Sequence, residues 1–222
     1  MDDEIDYKCS LSEETQAIAL ENLREDDNIS RNQTIRAWIL KHPSIKRCRT
    51  DPLFLLQFLR TKKFSLPIGQ PMLERYLHAR QLSSEWFQNL DIYDQEIEAL
   101  IDNGYIFPLL ERDQYGRQVI LINTARADPY RFGSKEIIRA YSILGELLMD
   151  IEENQVRGYT YVHILTGATI AHGTVWSLSD MRNFFKWMKN VSPIRNKQIN
   201  IVSVPNHIRK VLDFIINNNV CK

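Results

Sequence analysis

Two short stretches carry functional groups at spacings that invite chemistry. In "YTYVHIL" (159–165) a strand period of two places Tyr159, Tyr161, His163 and Leu165 on one face and Thr160, Val162 and Ile164 on the other. A strand buried on both faces is usually apolar on both. Two phenols and an imidazole on one face therefore suggest a cavity wall with polar handles. Satisfied core residues are the alternative. In "SPIRNKQINIVSVP" (192–205) Arg195 and Lys197 stand directly before an apolar run that reads as a buried strand, and alternation puts both on one side. Clustered Arg and Lys are the expected binders of phosphate. A solvated basic edge is the plainer reading.

Bond-breaking chemistry finds no comparable footing. The chain has no Gly-x-Ser-x-Gly elbow, no Walker loop and no Gly-x-Gly-x-x-Gly after a strand. His163 and His172 lie nine residues apart with no acidic or Cys partner at metal spacing, and read as a core histidine and a loop histidine. Glu152 and Glu153 end an amphipathic helix and read as a solvated face, because paired acids need a cleft before they count. Cys9, Cys48 and Cys221 are odd in number and far apart, which fits neither a disulfide framework nor a zinc site. No enzyme activity, cofactor or metal is expected. Lys plus Arg equals Asp plus Glu at 28 each, so nothing in the total charge suggests nucleic acid, and any electrostatic role depends on where charges cluster. The acidic start "MDDEIDYKCS" lacks the apolar region of a signal peptide, and no apolar run approaches a membrane span of ~18 residues. The expectation is a cytoplasmic protein.

The elements that must position these groups fall into two sets. The first is helical. Ser12 caps "EETQAIALENLRE"; "NQTIRAWILKHP" puts Ile35, Trp38 and Ile39 on one face. "DPLFLLQFLRTKKF" opens with Asp51 as cap and Pro52 at the first helical position, and "PMLERYLHARQLSSEWF" follows. Near residue 100 the rhythm changes. Turn signals at Asn103-Gly104 and Tyr115-Gly116 surround short apolar runs, and three strands then alternate with helices. "QVILIN" leads to a long helix over 134–153, "YTYVHIL" to a helix over 177–190, and "INIVSV" to a helix over 206–216. Such alternation predicts an α/β fold with a mainly parallel sheet and right-handed crossovers. The predicted organisation is a helical subdomain over 1–90 and an α/β domain over 91–222.

Four of these stretches, in order, resemble the CRAL-TRIO lipid-transfer family. They are "DPLFLLQFLRTKKF", "ERDQYGRQVILIN", "DIEENQVRGYTYVHILTGATIAH" and "SPIRNKQINIVSVP", and the match runs from about residue 15 to 216. The tocopherol and retinaldehyde carriers and their insect relatives are the nearest in look. Two departures stand out: Ile164 occupies a position where the family usually has Asp, and the family's further C-terminal segment is missing, so the chain reads as a shortened form with weaker cargo retention. The resemblance implies an α/β cage holding one hydrophobic lipid (tocopherol, retinoid or phospholipid) beneath a mobile lid helix, exchanged at membranes. By family position Ile138, Tyr141, Tyr159, His163, Ile170, Trp176, Phe184, Trp187 and Met188 face the lipid, although aromatic stripes at helical spacing are more often plain core. By the same route Lys62, Arg195 and Lys197 hold a phosphoinositide headgroup, which implies peripheral contact with phosphoinositide-containing membranes. The lid is 206–216, with Ile208, Val211, Leu212 and Ile215 as its apolar stripe and Pro205 as hinge. A regulatory module that keeps the fold without cargo is the rival reading.

Overall fold

A computed structural model describes residues 7–26 and 28–209. The helical part comprises α1 (Glu13–Leu23), α2 (Asn28–Lys41), α3 (Pro52–Thr61), α4 (Leu66–Leu82) and the single turn α5 (Ser84–Phe87). The caps foreseen in sequence are present. Ser12 accepts from the Thr15 amide and Asp51 from the Phe54 amide, each satisfying a free N–H of the first turn. In α3 every residue from Phe54 to Arg60 is buried. Its Phe and Leu side chains each contribute ~1.5–3 kcal/mol on burial, and they form the centre of a core shared with Ile35, Ile39, Met72, Leu73 and Tyr76.

The α/β part follows. It begins with α6 (Gln95–Asp102), the strands β1 (Ile106–Arg112) and β2 (Gln118–Asn123), then α7 (Ser134–Met149) and α8 (Glu152–Arg157). The strand β3 (Tyr159–Ile164), the helices α9 (Ile170–Thr174) and α10 (Leu178–Asn190), and the strand β4 (Asn196–Val202) complete it. The sheet order is β1-β2-β3-β4. The hairpin β1/β2 is antiparallel, and β2, β3 and β4 run parallel through helical crossovers. Asp113 locks the hairpin turn. It accepts from the Tyr115 and Arg117 amides, both at 2.9 Å, and from the Thr160 hydroxyl on β3 at 2.7 Å. Burial alone would raise its carboxyl, but these hydrogen bonds outweigh it and hold the group below the usual range.

Several expectations need correction. The helix over 134–153 is two helices, because the chain leaves α7 at Asp150 and restarts as α8 with Ile151 as cap. Glu152 is therefore not on a solvated face: it is 3% exposed. It meets Arg60 of α3, itself fully buried, at 2.9 Å, and accepts from the Ser10 amide and hydroxyl and from the Tyr7 hydroxyl. Glu153, half-buried, pairs with Arg157 at 3.0 Å and accepts from Thr15. The strand expected as "INIVSV" starts earlier, at Asn196, and is not buried; it is last in the sheet order and most of its residues are exposed. Residues 206–209 begin a helical turn with His207 against the Ala168 carbonyl. The rest of the expected lid, with Val211, Leu212 and Ile215, lies outside the described residues. No helix among the described residues is long and apolar enough to cross a membrane.

Candidate functional site

The inner face of the sheet, α7, α9 and α10 enclose a cavity of about 290 Å³. Strand alternation sets its floor. Register places Ile122, His163 and Ile201 in one row across β2, β3 and β4, and all three line the space. Tyr161 and Leu165, on the His163 face of β3, line it too. The walls are Ile137 and Tyr141 of α7, and Met181, Phe184, Phe185 and Met188 of α10. The latter four follow i, i+3, i+4, i+7, a single helical stripe. His172, Val175 and Trp176 close one side, and Tyr105, Ala127 and Phe132 another. Beyond Tyr141, Tyr161, Phe184 and Met188 the space narrows to a crevice of about 20 Å³ that reaches Tyr159, Trp187, Ile194 and Asn196.

No Lys, Arg, Asp or Glu is among the described lining residues. Burial pushes the His163 imidazole down to about 4, so it is uncharged at neutral pH. Burial also raises the phenols of Tyr105, Tyr141 and Tyr161, which stay protonated. The His172 Nδ1 accepts from the Thr169 amide at 3.0 Å, which leaves Nε2 to carry the ring N–H. That Nε2 is buried with no partner, as are the Trp187 Nε1 and the Asn196 Oδ1 in the crevice. Buried polar atoms are normally satisfied, and these three are not.

Of the residues implied by the resemblance, Tyr141, His163, Trp176, Phe184 and Met188 come together on the cavity. Tyr159 and Trp187 border only the crevice. The Tyr159 hydroxyl donates to the Leu148 carbonyl at 3.0 Å, and the Trp187 ring stacks on Phe87 and Phe184. Ile138 and Ile170 are elsewhere. Ile138 points between α7 and α5 into a cluster with Trp86 and Phe87, since Ile137 and Tyr141 take the cavity face of the helix. Ile170 is 63% exposed on the outer side of α9, whose single inward histidine is His172. The stripe of α10 and the alternation of β4 were signals enough for Met181, Phe185, Ile199 and Ile201. Tyr105 and Phe132 sit in connections without periodicity and gave none.

The implied cations lie at the end of α3 (Lys62) and at the start of β4 (Arg195 and Lys197). Arg195 turns inward and donates to the Val156 carbonyl at 2.5 Å. Lys197 is held below the usual lysine range by partial burial, then by the charges of Arg195, Arg117 and Lys63. Lys62 caps α3, and the chain leaves through left-handed backbone at Lys63 and Phe64 (φ 50° and 57°). Gly158 makes this packing possible. It has φ +85°, and a Cβ there would lie 2.5 Å from the Arg195 carbonyl oxygen and 2.8 Å from Lys197 Cγ.

The model of the CRAL/TRIO domain family matches residues 102–217, just over half of the chain, which includes every cavity residue named above. The chain belongs to the CRAL/TRIO domain family. The family is one of lipid-binding and lipid-transfer proteins, in keeping with an apolar cavity rather than a reaction centre. A second model, described as a Pinta-like UBA domain, matches residues 24–97, the helical part. Among curated proteins the chain is similar to Clavesin-1 of Xenopus laevis, 28% identical over 82% of this chain and 55% of the relative. It is also similar to Clavesin-1 of Pongo abelii, 28% identical over 94% and 59%, and to Clavesin-2 of Homo sapiens, 27% identical over 94% and 64%. The chain thus spans 55% to 64% of the length of these relatives.

Proposed function

We propose that the chain carries one neutral lipid, largely hydrocarbon with an oxygen function at one end, and exchanges it at membranes. The observation that carries this reading is the cavity of about 290 Å³ with apolar and aromatic walls, no charged residue among its described lining, and unpartnered polar atoms at His172, Trp187 and Asn196. Burial of a guest's hydrocarbon drives binding at ~25 cal/mol per Å², while the polar atoms fix its orientation. A tocopherol or retinoid has this build. A phospholipid fits less well, because its phosphate would be buried without a cation. Native mass spectrometry of gently purified protein, followed by extraction, tests the reading. One neutral lipid per chain is the expected outcome, and an empty protein that takes up neither tocopherol nor retinoid favours the cargo-free module.

The finer reading of membrane guidance rests on the cations at the start of β4. Lys197, Arg117 and Lys63 lie together, and each is at least partly exposed. Phosphoinositide headgroups are recognised by such clusters. Arg195 contributes less here than the resemblance implies, because its guanidinium serves a backbone carbonyl. Vesicle sedimentation should show phosphoinositide-dependent binding that weakens with salt and drops in a Lys63→Ala, Arg117→Ala, Lys197→Ala variant. Binding unchanged in that variant removes the cluster from the reading.

A further inference from the structure

The α2–α3 loop, α4 and α5 border an open cleft of about 560 Å³ that shares no described lining residue with the lipid cavity. Its size falls within the ~300–1,000 Å³ of ligand clefts. One wall is α4, where Glu74, Leu77, His78 and Gln81 follow i, i+3, i+4, i+7 with Arg75 beside them; the α2–α3 loop also supplies Ile45, Lys46 and Arg47. Lys46, Arg47, Arg75 and His78 are exposed, and among the described residues none has a carboxylate partner. One acid, Glu74, lines the same cleft, 3.8 Å from His42 Nε2, and Glu146 pairs with Arg80. In a chain with equal numbers of acids and bases, the three cations Lys46, Arg47 and Arg75 against the one carboxylate of Glu74 in one concave site are a local feature, not a by-product of net charge.

The floor between the cations is apolar. Ile45 and Leu77 are half-buried and backed by the helical core. We propose that this cleft docks an acidic peptide segment of a protein partner, with carboxylates on Lys46, Arg47 and Arg75 and an apolar side chain against Ile45 and Leu77. A lipid headgroup answers only half of that surface: its phosphates suit the cations, but it has no apolar part to cover Ile45 and Leu77 inside a concave cleft. An acidic segment with interspersed apolar residues answers both.

Fluorescence anisotropy on the full chain at physiological salt tests this, with a labelled short peptide of alternating glutamate and leucine and its glutamine counterpart as probes. Saturable binding of the acidic peptide alone is expected. Arg47→Glu combined with Arg75→Glu should weaken it by about tenfold or more, Arg75→Gln by less, and Lys135→Glu, exposed on α7, not at all. Both arginines are exposed, and an unchanged thermal melt verifies that the variants fold. The proposal is overturned if the glutamine peptide binds equally, if the acidic peptide does not bind, or if the double variant retains full binding. It is also overturned if anionic phosphatidylserine vesicles, and not the peptide, depend on Arg47 and Arg75, since the cleft would then face a membrane.

Discussion

His163 stands neutral in an apolar wall, and this couples its titration to folding. Burial lowers its folded-state pKa from 6.5 to about 4, so the unfolded chain takes up a proton near pH 6.5 while the folded chain resists until about pH 4. Stability from this group is complete above pH 6.5 and is lost progressively as the pH falls towards 4. The shift predicts a loss of ~2–3 kcal/mol between pH 7 and pH 4.5. Asp113 and Glu152 are both held below their ordinary values, so they stabilise above the unfolded carboxylate range and lose that contribution only as the pH falls further, through their folded pKa values. The measurement is therefore a difference: urea midpoints of the natural chain and of His163→Phe at pH 7 and pH 4.5. The variant should lose less stability on acidification than the natural chain. Parallel losses in the two would mean that the imidazole is not the group responsible. A bound neutral lipid should deepen the effect, since it leaves the protonated ring even less access to water.

At the scale of elements the joint between α3 and α8 decides how the helical part holds the cage. Arg60 donates to Glu25 at 2.9 and 2.6 Å, to Glu152 at 2.9 Å and to Gln155 at 2.8 Å. Arg60→Met removes the cation that Glu25 and Glu152 share, and removal of one partner from such a buried network costs about 3–5 kcal/mol. The thermal midpoint should fall accordingly, and Glu152→Gln should fall less, because the single amide oxygen still accepts from Arg60 and only the Ser10 contacts to the other oxygen are lost. A loss within ~0.5 kcal/mol for Arg60→Met, the level of an ordinary surface change, would make the network dispensable. The same joint shows what the sequence could and could not reveal. β2, β3, α3 and α10 were legible because each carries its own period, cap or flanking turn, and the cavity face of β3 followed from alternation alone. The break at Asp150 was not, since neither Gly nor Pro marks it. Glu152 looked solvated because its partner Arg60 is 92 residues away in the chain, and no local pattern carries that distance. Ile138 stands off the cavity for a related reason: a helix face is defined by its neighbours, and α5 packs against Ile138 through Trp86 and Phe87.

For the whole molecule the question is whether the boundary near residue 90 separates units that fold alone. The family models meet further along, between residues 97 and 102, and contacts cross the boundary near residue 90 in several places. Arg60 and Gln155 tie α3 to α8, and Gln155 also donates to the Leu53 carbonyl at 2.9 Å. Thr61 donates to the Pro193 carbonyl at 2.6 Å, next to the start of β4. Arg139 of α7 donates to the Gln88 and Asn89 carbonyls at 2.9 and 2.8 Å. Apolar packing crosses as well. Val191 and Trp187 belong to the core of the helical part, and Trp86 and Phe87 pack on Ile138 and Phe184. A cage cut free at residue 91 would expose these faces and leave Glu152 buried without its cation, so we predict that it does not fold by itself. The intact chain should unfold in one transition, with far-ultraviolet circular dichroism and tryptophan fluorescence coinciding, because tryptophans lie on both sides of the boundary and report both parts. A fragment of residues 91–222 should instead lack a sharp melt and bind a hydrophobic dye. Two separated transitions in the intact chain, or a cooperatively melting fragment, would establish the helical part as an independent appendage and would confine the role of Arg60 to docking.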